Sequence, residues 1–227
     1  PFYHKFVSYI INNFVINDIK PLSITDKISD LQLLFNQLTY SHIPIVKDGV
    51  YLGCISETDA PNIITLGEVF NISLAKPPIV GIAIRKVTYS HGLISNSREF
   101  VINMPTRSLL KQTDYCGAVS GRDIDKFKSS GLTPVPASII KPPLIAECPI
   151  NLECRCISIQ EVGDHDLFLG EVVKIHADES VLGPDGTIDY AKLESFCFMF
   201  HYGSKPEYWS IGEKLSDAFF MRKKTLP

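Results

Sequence analysis

The sequence has few cysteines, no excess of basic residues and no long uninterrupted apolar run. Six cysteines in 227 residues are too sparse for a disulfide framework. The 22 lysines and arginines against 25 acidic residues give a net charge of −3, which argues against a nucleic-acid partner. The apolar run over 79–84 is far shorter than the roughly 20 residues of a membrane-spanning helix, so no membrane partner is predicted.

The beginning of the chain also lacks the features of an export signal. Residues 1–16 are apolar but interrupted by polar side chains, with neither a basic head nor a small-residue cleavage site. Together with cysteines expected to be reduced, this predicts a cytoplasmic protein. The hydrophobic fraction of 45% is typical of a globular chain, which at this length has one or two domains.

Three cysteines lie close together in the sequence, which raises the question of a metal site. No two of Cys148, Cys154 and Cys156 have C-x-x-C spacing. Cys154 and Cys156 are two residues apart within the strand-like stretch 153–159. Small apolar side chains at a period of two are typical of one face of a strand. The pattern favours a strand over a metal centre, and no metal is predicted.

The chain divides into two stretches of different character. Residues 1–59 are predicted to be a small α/β segment, and residues 60–227 a second, β-rich domain. In the first, apolar residues at helical spacing predict a helix over 26–38, followed by strands over 42–46 and 51–56 around the Asp48-Gly49 turn.

The β-rich part has several apolar segments separated by Gly and Pro. Strands are predicted over 62–73, 78–85, 99–103, 152–161, 166–176 and 195–201, and helices over 106–112, 122–130, 189–194 and 211–219. Many strands with few helices predict a closed barrel, because closure removes exposed sheet edges. The expected fold class is therefore mainly β with α.

The first stretch resembles a CBS motif over residues 41–46 and 49–59. That resemblance implies adenosine-nucleotide binding, with Ser56, Thr58 and Asp59 holding the phosphate and ribose through hydroxyl and carboxylate groups. The family uses paired motifs, and one is found here. The alternative is that this segment only packs against the rest of the chain or mediates a dimer.

The second stretch carries a long, ordered set of motifs. They are Pro-Asn-Ile-Ile-Thr-Leu-Gly at 61–67, Tyr-Ser-His-Gly-Leu-Ile at 89–94, Glu-Phe-Val-Ile-Asn at 99–103, Ser-Gly-Arg-Asp-Ile-Asp-Lys-Phe at 120–127 and Tyr-Trp-Ser-Ile-Gly-Glu at 208–213. On these motifs, residues 61–220 resemble the flavin reductase-like, flavoredoxin-type FMN-binding split barrel. The resemblance implies FMN as cofactor, NAD(P)H as transient electron donor and a homodimer with flavin near the interface.

FMN has a planar apolar ring and a dianionic phosphate, and each needs its own partners. Thr65 and Arg85 at strand ends, with Ser90 in a following turn, are candidates for the phosphate cradle. Asn103, just before Met104-Pro105, offers a donor and an acceptor to the ring edge.

The segment 116–127 is expected to be a loop over the ring. The family pattern adds Asn62, Cys116, Ser120, Asp123 and Lys126 to the cofactor-binding candidates. Structural alternatives remain open: Arg85 as a solvated charge, Asp123 as the N-cap of a helix at 124–130, Cys116 as a buried inert thiol, and His91 and His201 as structural residues.

The join between the two stretches determines whether the barrel is complete. Residues 51–56 belong to the CBS-like motif, yet they also occupy the position of the first barrel strand, with 57–60 as its turn. The sequence points to a fusion, a recombination or a composite chain.

The sequence favours an FMN-binding oxidoreductase that passes electrons from NAD(P)H, through the flavin, to a flavin, iron complex or protein acceptor. No Gly-x-Gly-x-x-Gly fingerprint occurs, so the nicotinamide nucleotide is expected to bind transiently. The alternative is a non-enzymatic, adenosine-nucleotide-sensing regulatory module with the barrel as scaffold.

Overall fold

The computed structural model describes residues 49–55, 60–74, 76–199, 205–216 and 218. The predicted helix over 26–38, the strand over 42–46 and the candidates Ser56, Thr58 and Asp59 lie outside these ranges. The CBS-like interpretation and the predicted boundary at 59/60 therefore stay predictions.

The described residues form strands joined by short helices. The strands are β1 Tyr51–Ile55, β2 Asn62–Leu66, β3 Val69–Ser73, β4 Ile79–Arg85, β5 Glu99–Met104, β6 Pro134–Val135, β7 Leu144–Ile145, β8 Ile150–Val162, β9 His165–Ala177, β10 Phe196–Met199 and β11 Glu207–Ser210. The α-helices are α1 Tyr89–Ser97, α2 Leu110–Ala118, α3 Lys126–Ser130 and α4 Tyr190–Leu193, with 3-10 turns at Arg107–Leu109 and Glu179–Val181.

Seven strands form one antiparallel sheet in the order β2-β1-β5-β8-β9-β4-β3. The two ends of that order, β2 and β3, are consecutive in the chain and separated only by Gly67 and Glu68. The amide of Ala83 donates to the carbonyl of Glu68 at this bend. Because β2 pairs with β1 while β3 pairs with β4, the bent segment closes the sheet into a barrel.

Strand β1 answers the question of the join. It pairs with β2 over Tyr51–Ile55 and with β5 over Leu52–Cys54, both antiparallel. The interpretation of 51–56 as a barrel strand is confirmed for its described part, and this position in the barrel is filled.

Two apolar clusters lie on opposite faces of the sheet. The larger fills the barrel interior, with Phe100, Ile102 and Phe168 among its members. The smaller contains Val101 with Cys116, Phe127, Leu132 and Ile145, and joins the sheet to α2, α3 and β7. Strand β5 is buried on both faces because alternate side chains enter alternate clusters.

Within the described residues, the predicted strands agree with the structure, apart from the bend that divides 62–73 into β2 and β3; the short strands β6, β7 and β11 were not predicted. The helices agree less well. The helix predicted over 106–112 starts as a 3-10 turn and continues as α2 to residue 118. The helix predicted over 122–130 begins only at Lys126, where Asp125 rather than Asp123 caps it by accepting from the amide of Lys128.

One further helix prediction and one turn prediction are wrong. Residues 211–216 form no helix, which corrects the described part of the prediction over 211–219. Conversely, the predicted turn around Ser90 is helix α1. Gly92, Ser95 and Asn96 lower its helix propensity, but Thr88 caps its start, and the burial of Leu93 and Ile94 holds it against the barrel.

Candidate functional site

A cavity of about 340 Å³ opens where the start of α1 meets the loop over 119–125. Its lining residues are Lys86, Thr88, Tyr89, His91, Gly92, Leu93, Asn96 and Arg122. Two of these side chains are permanent cations, and one is an imidazole. The cavity therefore has the chemistry of an anion site.

The start of α1 forms one wall of this cavity. The Thr88 hydroxyl accepts a hydrogen bond from the amide of His91 (3.3 Å) and donates to the carbonyl of Arg85 (2.9 Å). These bonds fix the first turn relative to the end of β4. The positive end of the α1 dipole thus lies on the same side as the cationic side chains.

Asn62, at the start of β2, connects the barrel to α1. Its Nδ2 donates to Oγ of Ser90 (2.8 Å), and both residues are buried. Its Oδ1 is also buried and has no hydrogen-bond partner among the described residues. A Cβ on Gly121 would lie 2.0 Å from that oxygen, so only glycine lets the 119–125 loop lie this close to Asn62.

The 119–125 loop brings Arg122 to the cavity. The Arg122 guanidinium lies over the Tyr89 ring at 5.7 Å from its centroid, a cation–π contact. The Ser120 hydroxyl accepts from the Arg122 amide (3.2 Å), and the Ser120 carbonyl accepts from the Asp123 amide (3.2 Å). Ser120 and Asp123 thus shape the turn, with exposed side chains.

The β8–β9 hairpin supplies acidic side chains behind the cavity. Lys86 Nζ lies 2.5 Å from an oxygen of Glu161 and 3.6 Å from Oδ1 of Asp166, while Nε2 of His91 is 2.7 Å from Oδ2 of Asp166. The bond from His91, aided by the charge of Lys86, holds the pKa of Asp166 below its usual value. The carboxylate of Asp166 therefore stays ionised.

Three predicted site residues hold the α2–α3 layer on the barrel. The Thr65 hydroxyl donates to the carbonyl of Thr113, and Lys126 Nζ donates to the carbonyl of Cys116 (2.7 Å). Burial lowers the pKa of Lys126 and raises that of the Cys116 thiol, both of which lie in the interior. These groups support the 119–125 loop from below and do not line the cavity.

Asn103 is fully buried, and its side-chain amide forms hydrogen bonds with groups in the protein interior. Its Nδ2 donates to the carbonyl of Leu52 (2.7 Å), and its Oδ1 accepts from the amide of Ile145 (3.0 Å) and from Asn151 (2.8 Å). This arrangement ties β1, β5, β7 and β8 together. The structure therefore gives Asn103 an interior role where the sequence suggested a contact to a ring.

Arg85 is exposed at the end of β4, and its Nε lies 3.8 Å from the Asp164 carboxylate in the β8–β9 turn. It does not line the cavity. Lys86, His91 and Arg122 do line it, and none of these three was predicted from the sequence as a site residue. An available signal was the cationic pair Arg85-Lys86 directly before Thr88, the capping residue of α1.

Among the described residues, neither the cysteines nor the helices add a second site. Cys154 and Cys156 lie in β8, as predicted from their spacing. Across the described ranges, no three His, Cys, Asp or Glu side chains come together as metal ligands. Among the described helices, none has the length and apolar character needed to span a membrane.

The closed antiparallel barrel, with its bent strand, flanking helices and cation-lined cavity, has the split-barrel fold of flavin reductase-like proteins. The chain belongs to the family described as "Flavin reductase like domain", which matches residues 45–195. That match includes β1 and begins ahead of the predicted boundary at 59/60.

Similar proteins support this assignment. An uncharacterised protein of Archaeoglobus fulgidus is 39% identical over 144 residues, 63% of this chain and 81% of that protein. The flavoredoxin structure of Desulfovibrio vulgaris (Miyazaki F) has a TM-score of 0.69 at 32% identity, covering 79% of this chain and 95% of that one. An NADH:riboflavin 5'-phosphate oxidoreductase of Streptomyces pristinaespiralis is 26% identical over 53% of this chain and 65% of its own.

Proposed function

We propose that the protein is an FMN-binding oxidoreductase. It takes electrons from a reduced nicotinamide nucleotide and passes them to a second flavin, an iron complex or a protein. The cation-lined cavity at the start of α1 is the observation that carries this proposal, since it suits the phosphate of a mononucleotide. Family membership supports flavin as the ligand that carries this phosphate.

The residues present fit such a ligand. Lys86 and Arg122 offer charge-assisted hydrogen bonds to the phosphate, and the first turn of α1 offers backbone amides. Asn62 does not line the cavity, but its Nδ2 donates to Ser90 in the first turn of α1. Of the cofactor contacts predicted from sequence, Asn62 and Ser90 lie beside the start of α1, and Ser120 and Asp123 lie in the 119–125 loop, but none of the four lines the cavity.

When bound, the flavin supplies the hydride and electron chemistry, and the protein's part is to hold and orient it. Arg122 is fixed by its contact with Tyr89, and Lys86 by its carboxylate neighbours, so little side-chain entropy is lost when the phosphate binds. NAD(P)H is proposed as a transient donor, in keeping with the NADH-dependent relative.

A visible absorption spectrum tests the proposal directly. The purified protein, saturated with FMN and passed over a gel-filtration column, should retain the bands of an oxidised flavin. Addition of NADH or NADPH should then bleach those bands. A colourless protein that also fails to retain added FMN contradicts the proposal. Thermal stabilisation by AMP or ATP alone would instead favour the adenosine-nucleotide module.

A pair of arginine variants locates the phosphate. Arg122→Ala should weaken FMN binding by about 1.5–3 kcal/mol, which is typical of a hydrogen bond to a charged group. Arg85→Ala removes a nearby cation whose partner is Asp164, and FMN affinity should stay unchanged. The opposite result would restore the phosphate role that the sequence suggested for Arg85.

We also propose a homodimer that uses the outer face of β3, β4 and β9. Phe70 pairs with Gly81, which pairs with Leu169, so these residues share one face of the sheet. The Phe70 ring lies over Gly81, and Phe70, Ile72 and Leu74 are exposed. Exposed apolar side chains grouped along one end strand of a sheet are typical of an interface between copies.

A further inference from the structure

Asp166 lies behind the cavity wall, between its two basic neighbours. Its Oδ2 bonds to His91, which lines the cavity, and its Oδ1 lies 3.6 Å from the ammonium of Lys86, another lining residue. The side chain is only 15% exposed, and Oδ1 is buried with no hydrogen-bond partner among the described residues. The carboxylate is thus placed to act on both lining groups.

The proton positions of the His91–Asp166 pair follow from elementary chemistry. An ionised carboxylate only accepts hydrogen bonds, so Nε2 of His91 carries the hydrogen between them. In a neutral imidazole, Nδ1 then has a lone pair, which repels a phosphate oxygen. A second proton, on Nδ1, turns the same ring into a donor at both nitrogens.

The fixed charges around the cavity nearly cancel. Lys86 and Arg122 are positive, and Glu161 and Asp166, both bonded to this wall, are negative. Among the described lining residues, the other titratable group is Tyr89, and the Phe168 ring packs against His91 in a T-shaped contact. A phosphate dianion entering here therefore adds two negative charges to a near-neutral site, which favours uptake of a proton.

We propose that His91, held by Asp166, takes up one proton from solvent when a phosphate monoester enters the cavity. This inference rests on the proposed function, because it takes FMN as the phosphate monoester. No covalent bond to phosphorus forms or breaks. The imidazole becomes an imidazolium that donates from Nε2 to Asp166 and from Nδ1 toward the phosphate, and Asp166 is a positioning residue.

Isothermal titration calorimetry measures this proton directly. FMN and riboflavin are titrated at pH 8 into the flavin-free 227-residue chain, in buffers with different ionisation enthalpies. At pH 8 the FMN phosphate is already a dianion, so any proton taken up is bound by the protein. We expect uptake approaching one proton per FMN and none per riboflavin, which has no phosphate.

Variants assign the proton to His91. His91→Gln should abolish the uptake, and Asp166→Asn should reduce it and weaken FMN binding about tenfold, or about 1.4 kcal/mol, without changing riboflavin affinity. Asp164→Asn is the matched control, because Asp164 lies two residues away and pairs with Arg85 and His165 instead. It should behave as the wild type.

The outcomes separate this inference from the proposed function. If FMN binds but takes up no more protons than riboflavin does, the inference is overturned and the proposed function stands. The same holds if His91→Gln takes up as many protons on FMN binding as the wild type. The comparison of FMN with riboflavin uses the wild type alone, so it does not depend on any variant being folded. If FMN does not bind, the proposed function fails. Phenyl phosphate is then titrated, and absence of binding or of proton uptake overturns the inference too.

Discussion

Glu153 shows how a single side chain fixes a long connection. It is fully buried in β8, and its carboxylate accepts hydrogen bonds from the amides of Ser138, Ile139 and Ile140 and pairs with Nε2 of His176. Burial alone would raise the pKa of Glu153, but these hydrogen bonds lower it overall. The carboxylate thereby holds the segment that precedes β7 against the barrel.

Replacement of this carboxylate should destabilise the fold. Glu153→Gln keeps the shape but loses the charge that accepts from His176 and three amides. We expect a loss of about 2–3 kcal/mol in the free energy of unfolding, measured by urea denaturation. Glu147→Gln is the control, since Glu147 is less buried and accepts mainly from Thr133, through its amide and its side chain. Equal effects of both variants would contradict this role.

The same lowered pKa sets the direction of a pH dependence. Because the folded pKa of Glu153 lies below its unfolded value of about 4.3, its stabilising contribution is present above that value. The contribution disappears as the pH falls through the folded pKa. The difference in stability between the wild type and Glu153→Gln should therefore shrink as the pH falls from about 4.3 through the folded pKa. A difference that stays constant to lower pH would contradict this assignment.

Gly121 allows the 119–125 loop to lie close to Asn62. Gly121→Ala places a methyl group 2.0 Å from Oδ1 of Asn62, so the 119–125 loop must move away and carry Arg122 with it. We expect FMN affinity to fall about tenfold, or about 1.4 kcal/mol, as measured by fluorescence titration. Gly212→Ala, where an added Cβ meets nothing within 4 Å, should leave affinity unchanged. Unchanged affinity in Gly121→Ala would separate this loop from the flavin site.

Among the secondary-structure elements, the strands were predictable and the site helix was not. Segments such as 99–103 are rich in β-branched and aromatic residues, a local property that survives in the fold. Helix α1 depends on a cap by Thr88 and on burial of Leu93 and Ile94, and the burial exists only once the barrel has formed.

The candidate site was predictable only in part, for the same reason. Asn62 and Ser90 were named from the sequence, and the structure joins them by a hydrogen bond. Asn103 is an amide at a strand end like many ligand contacts, but its partners are Leu52, Ile145 and Asn151, all distant in sequence. A sequence does not show which buried backbone groups need a hydrogen bond from a side-chain amide. A ligand contact and an interior contact of such an amide therefore cannot be told apart from the sequence.

The cap of α1 can be tested as an element on its own. Thr88→Ala removes the hydroxyl that accepts from His91, and we expect a loss of about 1 kcal/mol in the free energy of unfolding. Thr88→Ser retains the hydroxyl and should restore most of that stability. Urea denaturation of both variants makes the comparison. If the two variants are equally stable, the hydroxyl does not stabilise α1.

At the scale of the whole molecule, the proposed homodimer uses the outer face of β3, β4 and β9. Ile72→Glu puts a charge on β3, two residues from Phe70, at a side chain that is 49% exposed, so the monomer should still fold. We expect it to convert a homodimer into a monomer, as measured by light scattering after gel filtration. Val162→Glu is the control. Val162 is 56% exposed and pairs with His165, and His165 pairs with Arg85 at the end of β4, whereas β3 near Ile72 pairs with the start of β4. A wild type that is monomeric, or a dimer unaffected by Ile72→Glu, would show that this face is not the interface.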